Sequence, residues 1–211
     1  MKPRRAEILA FAGVLLIAAI ALLPMSLAIP LFGLDKLVAA RRAEGPMWSA
    51  KLYDAQIGGM PVGLVGVKLR FLPLLTGRVR VDMWNATGIG GITAWPGGRG
   101  IDDVNANLPI GAIAGQIPVD RAILEDVTIH FSGTTCSRAD GRLRLMLRYP
   151  LGDSQVTPVL SGTLKCDGAT VAARLADASG AVTLNLRLAS DGSYNGRLNA
   201  AGASIRVGGR L

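Results

Sequence analysis

Asp140-Gly-Arg-Leu-Arg-Leu-Met-Leu-Arg148, DGRLRLMLR, alternates charge and hydrocarbon almost without a break. Leu143, Leu145 and Leu147 fall on one side of an extended chain, and Arg142, Arg144 and Arg148 fall on the other, with Met146 as the exception. A period of two is the mark of a strand with one dry face and one wet face, the arrangement of an antiparallel sheet. The same beat recurs elsewhere. Val67, Leu69 and Phe71 flank Lys68 and Arg70; Val79, Val81 and Met83 alternate with Arg78, Arg80 and Asp82; Leu184, Leu186 and Leu188 alternate with Asn185 and Arg187. Turn dipeptides separate these runs: Gly58-Gly59, Thr76-Gly77, Gly97-Gly98, Asp140-Gly141, Asp167-Gly168, Ser179-Gly180 and Asp191-Gly192. The pattern predicts a mainly β chain of about ten or eleven antiparallel strands, arranged as a curved open sheet or a sandwich. "LPIGAIA", Leu108 to Ala114, is a break, and the glycine-rich "GIGGITAWPGG", Gly88 to Gly98, reads as a long turn with Trp95 and Pro96 packed inward.

The head of the chain follows a different rule. Ile8 to Leu34 is 27 residues without a charge, and about 20 apolar residues suffice to cross a bilayer as a helix. The basic "MKPRR" before it belongs on the cytoplasmic side. The predicted organisation is a cytoplasmic head over residues 1–6, a transmembrane helix over 7–30, a short juxtamembrane helix and linker over 31–46, and a periplasmic β domain over 47–211. Ser26-Leu27-Ala28 offers a competing signal-peptide cut, but the apolar run continues past it. In "GLDKLVAARRAEG", Leu34, Leu37 and Val38 share a helical face that Gly45-Pro46 ends.

The net charge is +8. Most of the basic residues alternate singly with apolar ones instead of forming a run, which predicts a solvated sheet face, and the topology argues against nucleic acid. The only cysteines, Cys136 and Cys166, lie in two echoing phrases, "SGTTC" and "SGTLKC". Beyond an inner membrane two cysteines tend to pair. A loop of 30 residues closed this way would gain about 3.5 kcal/mol in the chain-entropy account. Two buried free thiols are the alternative, and a metal site lacks ligands.

Signals of catalysis are missing: no GxSxG, HExxH, phosphate-loop or CxxC motif occurs. His130, the sole histidine, could serve as a base beside Ser132 or Asp126. Asp102-Asp103 are neighbours on a strand, so they are expected to face opposite sides. Asn85-Ala86-Thr87 matches a glycosylation sequon that nothing else supports. Trp48, Trp84 and Trp95 read as core or interface residues. No catalytic, cofactor or metal residue is assigned.

Taken in order, several segments resemble the type II secretion system protein N family: the basic head and anchor, "LDKLVAARRAEG", "PMWSAKLYDAQIGGMPVGLVGVKLRFLPLLTGRVRV", "LPIGAIAG", Cys136 with Ala139 and Gly141, "PVLSGTLKCDG" with Cys166, and "GAVTLNLRLASDGSYNGRLNAAG". Ala50 departs from a usual glycine, and Val67-Lys68 from a common tryptophan. The resemblance implies a non-enzymatic component of the apparatus that exports folded proteins, with Cys136 and Cys166 as a structural bridge. It implies a bacterial inner-membrane location and other inner-membrane and periplasmic secretion components as partners. The alternative is an envelope lipid-handling protein, marked by an open apolar groove for a lipid ligand. Open sheets invite strand addition, and the arginine-bearing strands from Leu184 to Val207 are the candidate docking edge.

Overall fold

The computed structural model describes residues 11–15, 18, 22, 26, 38–46, 48–57, 60–110, 119–148, 158–200 and 202–210. Among them no helix is long and apolar enough to cross a membrane; most of the expected span over 7–30 lies outside the described residues. The chain divides into two compact units, Met1–Arg70 and Phe71–Leu211.

The described part of the first unit is an antiparallel sheet of β1 (Val38–Ala39), β2 (Arg42–Glu44), β3 (Ala50–Ile57) and β4 (Met60–Arg70). β1 and β2 are two pieces of one edge strand. Val38 faces Ile57, and the same register reaches Glu44 opposite Lys51. Between the pieces the Arg41 amide donates to the Tyr53 carbonyl (3.1 Å). The juxtamembrane helix expected over 31–46 is therefore corrected at these positions. So short a helix is marginal in water, whereas the edge of β3 offers a full ladder of backbone partners. Ala50 pairs with Val67 and Leu52 with Val65, and all four are buried. Phe71, expected to continue the alternation of β4, instead opens the single turn α1 (Phe71–Leu74) and is largely exposed.

Ten strands follow in the second unit: β5 (Val79–Asn85), β6 (Gly88–Trp95), β7 (Gly98–Pro109), β8 (Val119–Ser132), β9 (Thr135–Leu147), β10 (Val159–Asp167), β11 (Thr170–Ala176), β12 (Thr183–Leu188), β13 (Ser193–Ala200) and β14 (Ala203–Arg210). Each pairs antiparallel with the next, so spatial order is chain order. Of the two architectures expected, this is the open sheet. The fourteen strands among the described residues exceed the number read from sequence, partly because the glycine-rich stretch from Gly88 is strand β6 and not a turn. Leu108 and Pro109 end β7, and 111–118 lie outside the described residues.

A single sheet buries one face only by curling over it. Bulges supply the bend: the β7–β8 register shifts between Ile101 and Val104, and β8–β9 shifts between Glu125 and Thr128. Asp103 (φ 51°), Asp126 (φ 49°) and Gly141 (φ 105°) sit at these shifts. Asp140-Gly141 is thus inside β9, not a hairpin turn. A Cβ at Gly141 would stand 2.6 Å from the Asp126 carbonyl. The hairpin itself turns at Gly133 (φ 58°). The curl brings the β12–β13 turn against β7, where Arg99 Nη2 donates to the Ser190 carbonyl (2.6 Å). Inside the curl a row of side chains crosses four strands, Leu175–Leu184–Leu198–Ile205. Leu147 and Leu160 belong to the same core.

Candidate functional site

On the wet face of β5–β8, the registers line up Arg80, Thr93, Gly100 and His130 across four strands. Asp102 stands between them. The Thr93 hydroxyl donates to its Oδ2, and His130 Nε2 lies 2.7 Å from its Oδ1. Arg80 completes the cluster, 3.8 Å from Asp102, 3.0 Å from Asp82 and 3.0 Å from Asp103. Asp102 and Asp103 were expected on opposite faces. The bulge at Asp103 swings its carboxylate round, and one guanidinium meets both. Gly100 is required here, because a Cβ would stand 2.3 Å from His130 Cδ2. Trp95 meets His130 edge-on (5.2 Å, 68°), and Arg78 lies 5.6 Å over the Trp95 ring. Trp95 is therefore on the polar face, not packed inward.

Burial opposes ionisation of Asp102, but the Thr93 hydroxyl, His130 and Arg80 together hold its carboxyl below the usual range. Chemically the arrangement is a satisfied knot. Nucleophilic relay needs the base on the nucleophile and the acid behind the base. Here Thr93 and His130 occupy the two oxygens of one carboxylate, so the hydroxyl is not presented to the imidazole. Neither partner suggested for His130 by sequence is the one found. Asp126 exchanges hydrogen bonds with Asn105 (2.8 and 3.0 Å), and Ser132 pairs with Gly98 and Thr135 at the hairpin. Asn85 accepts from the amides of Thr87 and Gly88 (2.9 Å each) and so closes the β5–β6 turn.

Cys136 and Cys166 form a disulfide with Cα atoms 5.5 Å apart. The β9–β10 ladder ends at Thr163 opposite Arg142, and the bridge lies beyond that end. It ties the β8–β9 hairpin to the β10–β11 hairpin. The echoing phrases are not equivalent in space. Ser132-Gly133-Thr134 makes a turn, while Ser161-Gly162-Thr163 runs through the middle of β10.

The second polar feature is basic. Arg174 pairs with Asn185, Asn185 with Arg197, and Arg197 with Arg206, a row across β11–β14 on the face opposite the core. Arg187 lies in the adjacent row and holds Asp167 at 2.8 Å. Arg174, Arg197 and Arg206 have no acidic partner among the described residues. This differs from β9, where Arg144 and Arg142 share Glu125 (3.1 and 3.8 Å) and Arg138 holds Asp140 (2.6 Å). The unpaired arginines wall a groove of about 660 Å³. Sequence pointed to Leu184–Val207 as a docking edge; that Arg197 and Arg206 align there in one row with Arg174 of β11 required the register.

A family profile, described as type II secretion system (T2SS), protein N, matches residues 36–206. The chain belongs to the type II secretion system protein N family. No curated protein and no solved structure matches the chain. The matched region runs from just before β1 into β14, so it takes in residues 36–70 of the first unit, the disulfide and the whole arginine row. As a protein N family member the chain is a component of the type II secretion system. The family resemblance read from the sequence is thereby established.

Proposed function

We propose that the chain is a non-enzymatic part of the type II secretion apparatus, anchored in the inner membrane by its N-terminal apolar segment, with both β units in the periplasm. The family match over residues 36–206 carries this reading. The uncharged run from Ile8 to Leu34, the basic head and the disulfide agree with it. The protein supports assembly or operation of the machine through contacts with other secretion components. Deleting the gene should leave normally exported enzymes in the periplasm, and restoring it should return them to the medium. Unimpaired export in the deletion strain would remove the role. Protease added to spheroplasts should digest the β units and spare the head.

A lipid carrier would need an open apolar trough. In the second unit, Leu160, Leu175 and Leu184 are wholly buried. The apolar crevice between Ile101, Phe131 and Leu188 measures about 280 Å³, at the bottom of the range of small-molecule pockets. The packed interior favours the secretion role over lipid carriage.

A further inference from the structure

We propose that the outer edge of β14, together with the arginine row beside it, receives an extended acidic segment of a partner protein as an additional strand. The proposal deepens the docking role and rests on the chain's being a part of the secretion complex.

Three observations converge on one occupant. Among the described residues no strand pairs with the outer edge of β14, which leaves a line of backbone donors and acceptors open. The core row also runs off this edge. Leu184 and Leu198 are 0 % and 1 % exposed, whereas Ile205, next in the row, is 50 % exposed. An adjoining strand, about 4.8 Å away, would set a side chain against Ile205. On the other face Arg197 stands directly opposite Arg206, with no carboxylate between them. Like charges opposed across a ladder are destabilising, and a rule broken without internal compensation marks a functional surface.

A strand alternating acidic and apolar residues satisfies both faces at once. Every second side chain puts a carboxylate beside Arg206, within the field of Arg197, while the others cover Ile205. A lipid phosphate would suit the guanidinium groups but would use neither the open edge nor Ile205.

The test uses the full chain in neutral detergent and a fluorescent octapeptide alternating valine and glutamate, read by anisotropy. Arg197→Gln and Arg206→Gln should each weaken binding about tenfold. A glutamine counterpart of the peptide should bind as weakly. A peptide of equal charge interrupted by proline should not bind, because proline removes ladder donors. Both protein variants should keep or raise the thermal midpoint, so lost affinity is not lost folding. Equal binding of the proline peptide, no binding of the alternating peptide, or competition by phosphatidylglycerol in mixed micelles with the same arginine dependence would each overturn the proposal. Export lost on gene deletion without peptide binding would defeat this proposal alone; export unaffected by deletion would defeat the role beneath it.

Discussion

At Asp102, burial and hydrogen bonding pull in opposite directions, and hydrogen bonding wins. A carboxyl held below its unfolded value of about 3.9 contributes stability that is complete above that pH and is lost as pH falls through the lower folded value. Asp102→Asn should therefore be less stable near neutrality, with a flatter loss of urea midpoint between about pH 5 and 2 than the parent chain. Parallel acid limbs would show that another group governs that window. Asp177 and Asp191 are lowered in the same direction by the Ser179 and Ser193 hydroxyls of their own turns. They add to the acid sensitivity of the parent and of the variant alike. Of this cluster the sequence drew attention to His130, the Asp102-Asp103 pair and Trp95, but each by itself and none as a partner of the others. Arg80 looked like an ordinary alternating strand residue and Thr93 like part of a glycine-rich turn, and their meeting with Asp102 depends on three strand registers and one bulge.

Among the elements, the disulfide and the last strands carry the clearest tests. The bridge spans 30 residues, so Cys136→Ser with Cys166→Ser should cost about 3.5 kcal/mol by loop-closure entropy. Chemical denaturation should show it as a lower midpoint, and an unchanged midpoint would mean that the hairpins hold each other without the bond. Arg206→Gln should add a few tenths of a kcal/mol by relieving repulsion from Arg197; a loss of stability would mean that the guanidinium is satisfied where it stands. The alternating runs Leu143–Leu147 of β9 and Leu184–Leu188 of β12 were readable from residue order alone, although the turn expected at Asp140-Gly141 falls inside β9. Two segments were not. Residues 38–44 carried helical residues but lay where β3 needed an edge partner, and Gly88–Trp95 looked like a loop because its glycines clear room for Arg80, Asp82 and Val104 on neighbouring strands. In both, tertiary demand overrode local preference.

For the molecule as a whole, the extensive core lies in the second unit, centred on β8–β13. Leu184, fully buried within its row, should lose about 2–5 kcal/mol on replacement by Ala. Amide exchange should find β10–β13 the slowest strands and β1–β2 the fastest, because protection follows buried apolar contact. Uniform exchange across the sheets would contradict a core so placed. At β5–β6 the expected polarity is inverted. Thr93 on the wet face is 5 % exposed, while Ile92 on the dry face is 41 % exposed. There the polar knot, not hydrocarbon, is the better-covered side.

The amino-acid order by itself determined that the chain is mainly β, that its strands alternate wet and dry, which two cysteines could bond, and which family it belongs to. These follow from local period, residue type and the order of short motifs, all of which survive without knowledge of neighbours. Tertiary structure decided which glycines turn and which bulge, where the bridge falls, and that His130 faces Asp102 while Arg197 faces Arg206. Those facts belong to register, and a one-residue slip in any ladder would send each of these side chains to the opposite face.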